Sequence, residues 1–148
     1  EKNYSNNSFE KWEFGKIRNI HKGSNLCILS YGPIIKKAFE LKDLLLKNKI
    51  NPSIYSCHTL KPFDEEGIKR IFKKYKTIIT IEDHSLIGGI ASIVQQLAYK
   101  FGFNKKILSY GLKDEFKHIY GDQENLLERH GISTLKIKNS ILKNYERS

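Results

Sequence analysis

Most of the residues able to do chemistry fall in two short polar runs. The first is Glu82-Asp83-His84-Ser85-Leu86-Ile87-Gly88-Gly89, directly after an apolar stretch. A histidine beside a carboxylate can move protons, so His84 with Glu82 as its orienter is one reading. In the other reading, Glu82 and Asp83 accept from loop N–H groups and His84 meets a partner subunit. Gly88-Gly89 permits close backbone approach at a helix start, where free N–H groups can also hold an anion. The spacing is neither G-x-x-x-x-G-K-[ST] nor G-x-G-x-x-G, so it does not indicate a nucleotide loop.

The second run is His58-Thr59-Leu60-Lys61-Pro62-Phe63-Asp64, preceded by Cys57. Neighbouring residues in a strand point to opposite faces, which argues against a Cys57–His58 thiol–imidazole pair. The two cysteines and five histidines show no metal-ligand spacing, and no serine sits in G-x-S-x-G. The residues alone give a polar loop face without a self-contained catalytic set.

These runs must be positioned by strands and helices. Leu26 to Tyr31 is a buried-strand candidate, Ser53 to Ser56 a second, Thr77 to Ile81 a third and Lys106 to Tyr110 a fourth. Residues 12–20 are expected to add an edge strand or a bent extended segment. A helix is expected from Pro33 to about Asn48, carrying Ile34, Ile35, Ala38, Leu41 and Leu45 at helical spacing. Asp64 reads as the N-cap of the next helix, with Ile68, Ile71, Phe72 and Tyr75 as its apolar stripe. Glu82 to Ser85 breaks the apolar run after the third candidate. Ile90, Ile93, Val94, Leu97, Ala98 and Phe101 form the inner face of a helix after Gly89, closed at Gly102. Asp122 is a cap candidate for a short helix through Leu126 and Leu127, stopped by Gly131. Ser133 or Thr134 is one for a last helix through Ile137, Ile141 and Tyr145. Strands alternating with helices imply parallel pairing, right-handed crossovers and helices on both faces, a three-layer α/β domain. Ligands of such sheets lie beyond the carboxyl ends of the strands, here Gly32, segments 57–64 and 82–89, and the loop at Gly111.

The composition bounds the reading. A chain of 148 residues fits one domain with a sizeable core. With 39% hydrophobic and 28% charged residues it is neither disordered nor membrane-embedded, and no apolar run approaches a membrane span. Two cysteines in apolar stretches fit buried thiols in a reducing, cytoplasmic setting. The net charge of +10 raises nucleic acid as a partner. Only four of the 26 basic residues are arginines, and the lysines are spread along the sequence, so no nucleic-acid partner is expected. Residues 1–11 read as a polar lead-in or linker and 12–148 as the domain. Methionine is absent, so the chain is expected to be a piece of a longer one.

Phe14 to about Ile141 resembles the C-terminal domain of transketolase-type, thiamine-diphosphate-dependent enzymes. Phe14-Gly15-Lys16-Ile17-Arg18 with His21-Lys22-Gly23-Ser24-Asn25, then Leu26 to Gly32, then His58 to Asp64 resemble successive family segments. So do Ile81 to Gly89, then Gly111 with Asp114-Glu115-Phe116 and Gly121, and finally Leu126 to Ile132. The form of the Glu82–Gly89 run is closest to transketolases made as separate N- and C-terminal subunits. The resemblance implies a mostly parallel five-strand sheet with one antiparallel strand. It implies transfer of a two-carbon ketol unit from a ketose to an aldose, with thiamine diphosphate as electron sink. Cofactor and Mg²⁺ would be held by N-terminal and pyrimidine-binding domains outside this chain, in a homodimer. No catalytic, cofactor or metal residue is thereby assigned here. His58, Lys61, Glu82, Asp83, His84, Gly88 and Gly89 become candidates for a subunit interface or the substrate approach. Relatives of the family include deoxyxylulose phosphate synthase and the 2-oxo acid dehydrogenase beta subunit. A different reading is a stand-alone interaction or small-ligand module on a flavodoxin-like scaffold.

Overall fold

The computed structural model describes residues 11–112, 127 and 132–145. The strands are β1 (Arg18–His21), β2 (Leu26–Ser30), β3 (Pro52–Ser56), β4 (Thr77–Ser85) and β5 (Lys106–Leu112). The helices are α1 (Ile35–Leu46), α2 (Glu65–Lys74), α3 (Ile90–Lys100) and α4 (Thr134–Asn144). The sheet order is β1-β3-β2-β4-β5, with β1 antiparallel to β3 and the other pairs parallel. This is the expected three-layer α/β domain with its five-strand, mostly parallel sheet.

The two sheet faces follow from strand alternation. Ile28, Ile54, Ile79 and Ile81 pack with Ala38, Leu41 and Leu45 of α1 and with Ile137 and Ile141 of α4. Cys27, Leu29 and Ile78 pack on the other side with Ile68, Ile71 and Phe72 of α2 and Ile90, Val94 and Leu97 of α3. Central strand β2 is buried at every residue, as a parallel strand covered on both faces must be. Cys27 and Cys57 are both free and buried, and burial raises both thiols above their ordinary values. They pack as small apolar groups.

Several boundaries differ from the sequence expectation: β2 ends at Ser30 rather than Tyr31, α1 at Leu46 rather than Asn48, and β5 runs on past Tyr110 to Leu112. The segment at Pro33 begins as a 3₁₀ turn, Gly32–Ile34, before α1 takes over. β3 starts one residue early at Pro52, a position where a strand tolerates a missing N–H. β4 does not break at Glu82 but runs to Ser85, because Ser85 still pairs with Leu112 across an irregularity after Ile81. At the last helix Ser133 holds the cap position without a side-chain hydrogen bond. The Thr134 hydroxyl instead donates to Glu40 of α1 (3.1 Å). The expected helix capped by Asp122, with its stop at Gly131, and the Asp114–Gly121 stretch lie outside the described residues, as do residues 1–10 of the lead-in. No helix among the described residues is long and apolar enough to cross a membrane.

Candidate functional site at the carboxyl edge

β4 delivers Glu82 to the carboxyl edge of the sheet on the face that α3 covers. Its side chain is fully buried. One carboxylate oxygen accepts from Ile90 N (2.9 Å) and the other from Ala91 N (3.0 Å). Glu82 therefore caps α3 from the preceding strand, satisfying two N–H groups that the helix cannot satisfy itself. The Tyr31 hydroxyl, at the end of β2, reaches the same carboxylate at 3.5 Å. Burial raises Glu82 above the ordinary carboxylate range, opposed by the Ala91 and Ile90 N–H groups. Burial and the Glu82 charge push Tyr31 up to about 12.

The glycine pair exists for this contact. A Cβ on Gly89 would collide with the Glu82 carboxylate and lie 2.9 Å from the Ser85 carbonyl. Gly88 has φ +83°, a region that other residues rarely adopt. The turn between them and β4 is closed by two serines. Ser85 Oγ accepts from Ile87 N (3.1 Å). Ser92 Oγ accepts from Gly88 N (2.9 Å) and donates to the Leu86 carbonyl (2.7 Å).

His84 and Asp83 have a different fate from Glu82. His84 is exposed and Asp83 half-buried. The His84 Nδ1 lies 3.1 Å from the Ser85 carbonyl, which can only accept, so that nitrogen carries the proton. The Glu82 carboxylate receives Ile90 N, Ala91 N and the Tyr31 hydroxyl, while the His84 Nδ1 turns to the Ser85 carbonyl. The role of Glu82 here is the structural one.

The second run closes around the segment ahead of β1. Asp64 is buried and caps α2, one oxygen accepting from Gly67 N (2.9 Å). Its other oxygen accepts from Ile17 N (3.0 Å), and Lys16 Nζ stands 3.7 Å away. Thr59 Oγ1 accepts from Gly15 N (3.2 Å). His58 Nε2 donates to the Glu13 carbonyl (3.0 Å), and its ring lies against Trp12 at 5.4 Å between centroids. Residues 12–17 thus form a strap across loop 57–64. Lys61 is exposed on that loop.

The sequence candidates therefore divide. Glu82, Gly88 and Gly89 build α3, and His58 holds the strap. Lys61, Asp83 and His84 are left to face solvent or a partner. Thr59, a member of the second polar run, belongs to the same edge, as do Tyr31 and Ser92, which lie outside both runs. Of these two, Tyr31 carries a sequence signal, a polar aromatic placed directly after a buried strand. Among the described residues no three His, Cys, Asp or Glu side chains gather to hold a metal ion. The N–H groups at the start of α3 are spent on Glu82 and do not form a diphosphate cradle. Among the described residues the edge offers exposed polar groups and no nucleophile–base pair.

A helix-flanked, mostly parallel sheet with one antiparallel edge strand is shared with known proteins. The sequence signature of the family described as "Transketolase, C-terminal domain" matches residues 15–137. A protein described as a transketolase C-terminal section, from Methanocaldococcus jannaschii, is 33% identical over 139 residues. That match covers 94% of this chain and 43% of the relative. The 1-deoxy-D-xylulose-5-phosphate synthase of Cytophaga hutchinsonii is 32% identical over 133 residues, covering 90% of this chain and 21% of that enzyme. The solved structure of a split-gene transketolase, described as an inactive beta4 tetramer, superposes with a TM-score of 0.81 at 24% identity. It is covered over 93% of this chain and 45% of its own. This chain belongs to the transketolase C-terminal domain family. It spans less than half the length of the curated relatives it matches.

Proposed function

We propose that this chain is the C-terminal domain of a thiamine-diphosphate-dependent enzyme that moves a two-carbon ketol unit from a ketose to an aldose. Residues 12–148 form the domain and 1–11 lead into it. The domain works only together with N-terminal and pyrimidine-binding domains or a separate subunit, in a cytoplasmic homodimer. The observation that carries this reading is family membership over residues 15–137, joined to an edge whose two buried carboxylates are both spent on helix caps. No group of His, Cys, Asp or Glu among the described residues fits Mg²⁺, and this reading assigns the cofactor and its metal to the partner domains. Bound there, the cofactor supplies an electron sink for the two-carbon unit. This chain contributes a fixed wall: Lys61, Asp83 and His84 face the partner or the incoming substrate, while Glu82, Gly88, Gly89 and His58 hold the backbone beneath them.

A second reading, 1-deoxy-D-xylulose-5-phosphate synthesis, is favoured by the full-length synthase relatives, of which the one from Cytophaga hutchinsonii is 32% identical to this chain. The test is to assay the chain alone, and combined with its thiamine-diphosphate-binding partner region, for both reactions. Ketol transfer only by the combined protein is the expected result. Turnover by the chain alone overturns its dependence on a partner. Formation of 1-deoxy-D-xylulose-5-phosphate by the combined protein selects the second reading. An assembly that fails to bind thiamine diphosphate removes both.

A further inference from the structure

We infer that the core holds one structural water molecule between Thr80 of β4 and Ser109 of β5, beneath α3. The two residues are register partners across the parallel β4–β5 pair. Their chain neighbours Ile79, Ile81, Leu108 and Tyr110 pack on the α1 and α4 side of the sheet. Strand alternation therefore turns Thr80 and Ser109 to the other side, where Ile78 and Ile107 pack with residues of α2 and α3. Thr80 is fully buried. The Thr80 Oγ1 and the Ser109 Oγ are both sealed from solvent, and neither has a hydrogen-bond partner among the described residues.

A buried hydroxyl without a partner is costly, and folded proteins hold few of them. Here a pair stands side by side on one face, which calls for a joint explanation. Valine at residue 80 would suit a buried strand equally well and carry no polar atom. Hydroxyls on neighbouring strands can bond to each other directly, but these two do not. At one strand spacing, about 4.8 Å, a single water making bonds of about 2.8 Å to each side spans the gap.

The chemistry selects water over an ion. Both hydroxyls are neutral, and each can donate and accept, which is what a buried water needs of its partners. An ion would lack the opposite charge that burial demands. The next residue along this face of β4, Glu82, already receives Ile90 N and Ala91 N. Among the described residues no three His, Cys, Asp or Glu gather to hold a metal ion. β5 is the last strand in the sheet order, so the water ties an edge strand to the strand that carries Glu82.

The experiment is a high-resolution crystal structure of this chain, or, should crystals fail, water-to-protein NOE measurements in solution. The expected result is one ordered density peak within roughly 2.6–3.2 Å of both Thr80 Oγ1 and Ser109 Oγ, or an NOE from a long-lived water to both residues. A direct Thr80–Ser109 hydrogen bond overturns the inference, as does an empty gap or the lack of a long-lived water. Stability gives an independent reading. Thr80→Val and Ser109→Ala each remove one partner of the water, so each should lower Tm by roughly 2–4 °C. The double variant should lose clearly less than the two losses added, because the same water is lost in each case. Fully additive losses overturn the inference. So does a rise in Tm in either single variant, the result of removing a hydroxyl that had no partner. Thr80→Ser keeps the hydroxyl and should keep the density peak or the NOE.

Discussion

Asp64 and Glu82 are both buried acids at strand-to-helix junctions, and both cap the helix that follows, but they do it by different routes. Asp64 sits at the cap position itself and accepts from Gly67 N three residues on. Glu82 lies inside β4 and reaches N–H groups eight and nine residues away. The first cap is local and the second is a tertiary contact. A local cap survives in any context that lets its helix form. Glu82 finds its partners only when β4 and α3 are already packed together, so it reports on the whole fold.

The comparison can be broken most severely at Glu82. Glu82→Ala leaves two helix N–H groups in a buried site without an acceptor. We expect a loss of about 3–4 kcal/mol in urea unfolding, with amide exchange rising in the first turn of α3. Asp64→Ala should cost less, about 2 kcal/mol, the upper end of the range for a lost N-cap. Its exchange signature should differ in kind: protection falls at Gly67 in α2 and also at Ile17 in the strap, 47 residues away in sequence. Loss confined to α2 would show that the strap is not held by Asp64.

The smallest effect sharpens the contrast through pH. Burial raises Glu82 above its unfolded value, so the folded state keeps its proton to higher pH than the unfolded chain does. The stability this proton supplies is full below the ordinary carboxylate value and is lost as pH rises through the raised one. The margin of the wild type over Glu82→Gln, which cannot titrate, should therefore narrow as pH rises from about 4 to 7. Parallel stability curves for the two proteins would refute this.

What could be seen in the sequence follows the same division. The Asp64 cap, the apolar strands and the helical stripes are encoded within a few residues, and they stand where periodicity puts them. The end of β4 is not legible in the sequence, because its apolar run stops at Ile81 whereas its length is set by pairing with β5. The role of Glu82 could be framed only as one of two alternatives, since its donors lie beyond a turn whose path had to be known. The strap carried no signal, because Gly15 finds Thr59 across 44 residues and Ile17 finds Asp64 across 47.

The missing Cβ at Gly89 ties two positions into one unit of inheritance. A lineage that acquires any side chain at residue 89 must first shorten or remove the acid at residue 82, and that acid cannot return while the side chain stays. The order of mutations through this corner is therefore constrained, and Gly89→Ala should be tolerated better in a Glu82→Asp background than alone, with the Ser85 carbonyl, 2.9 Å from the added Cβ, still having to shift.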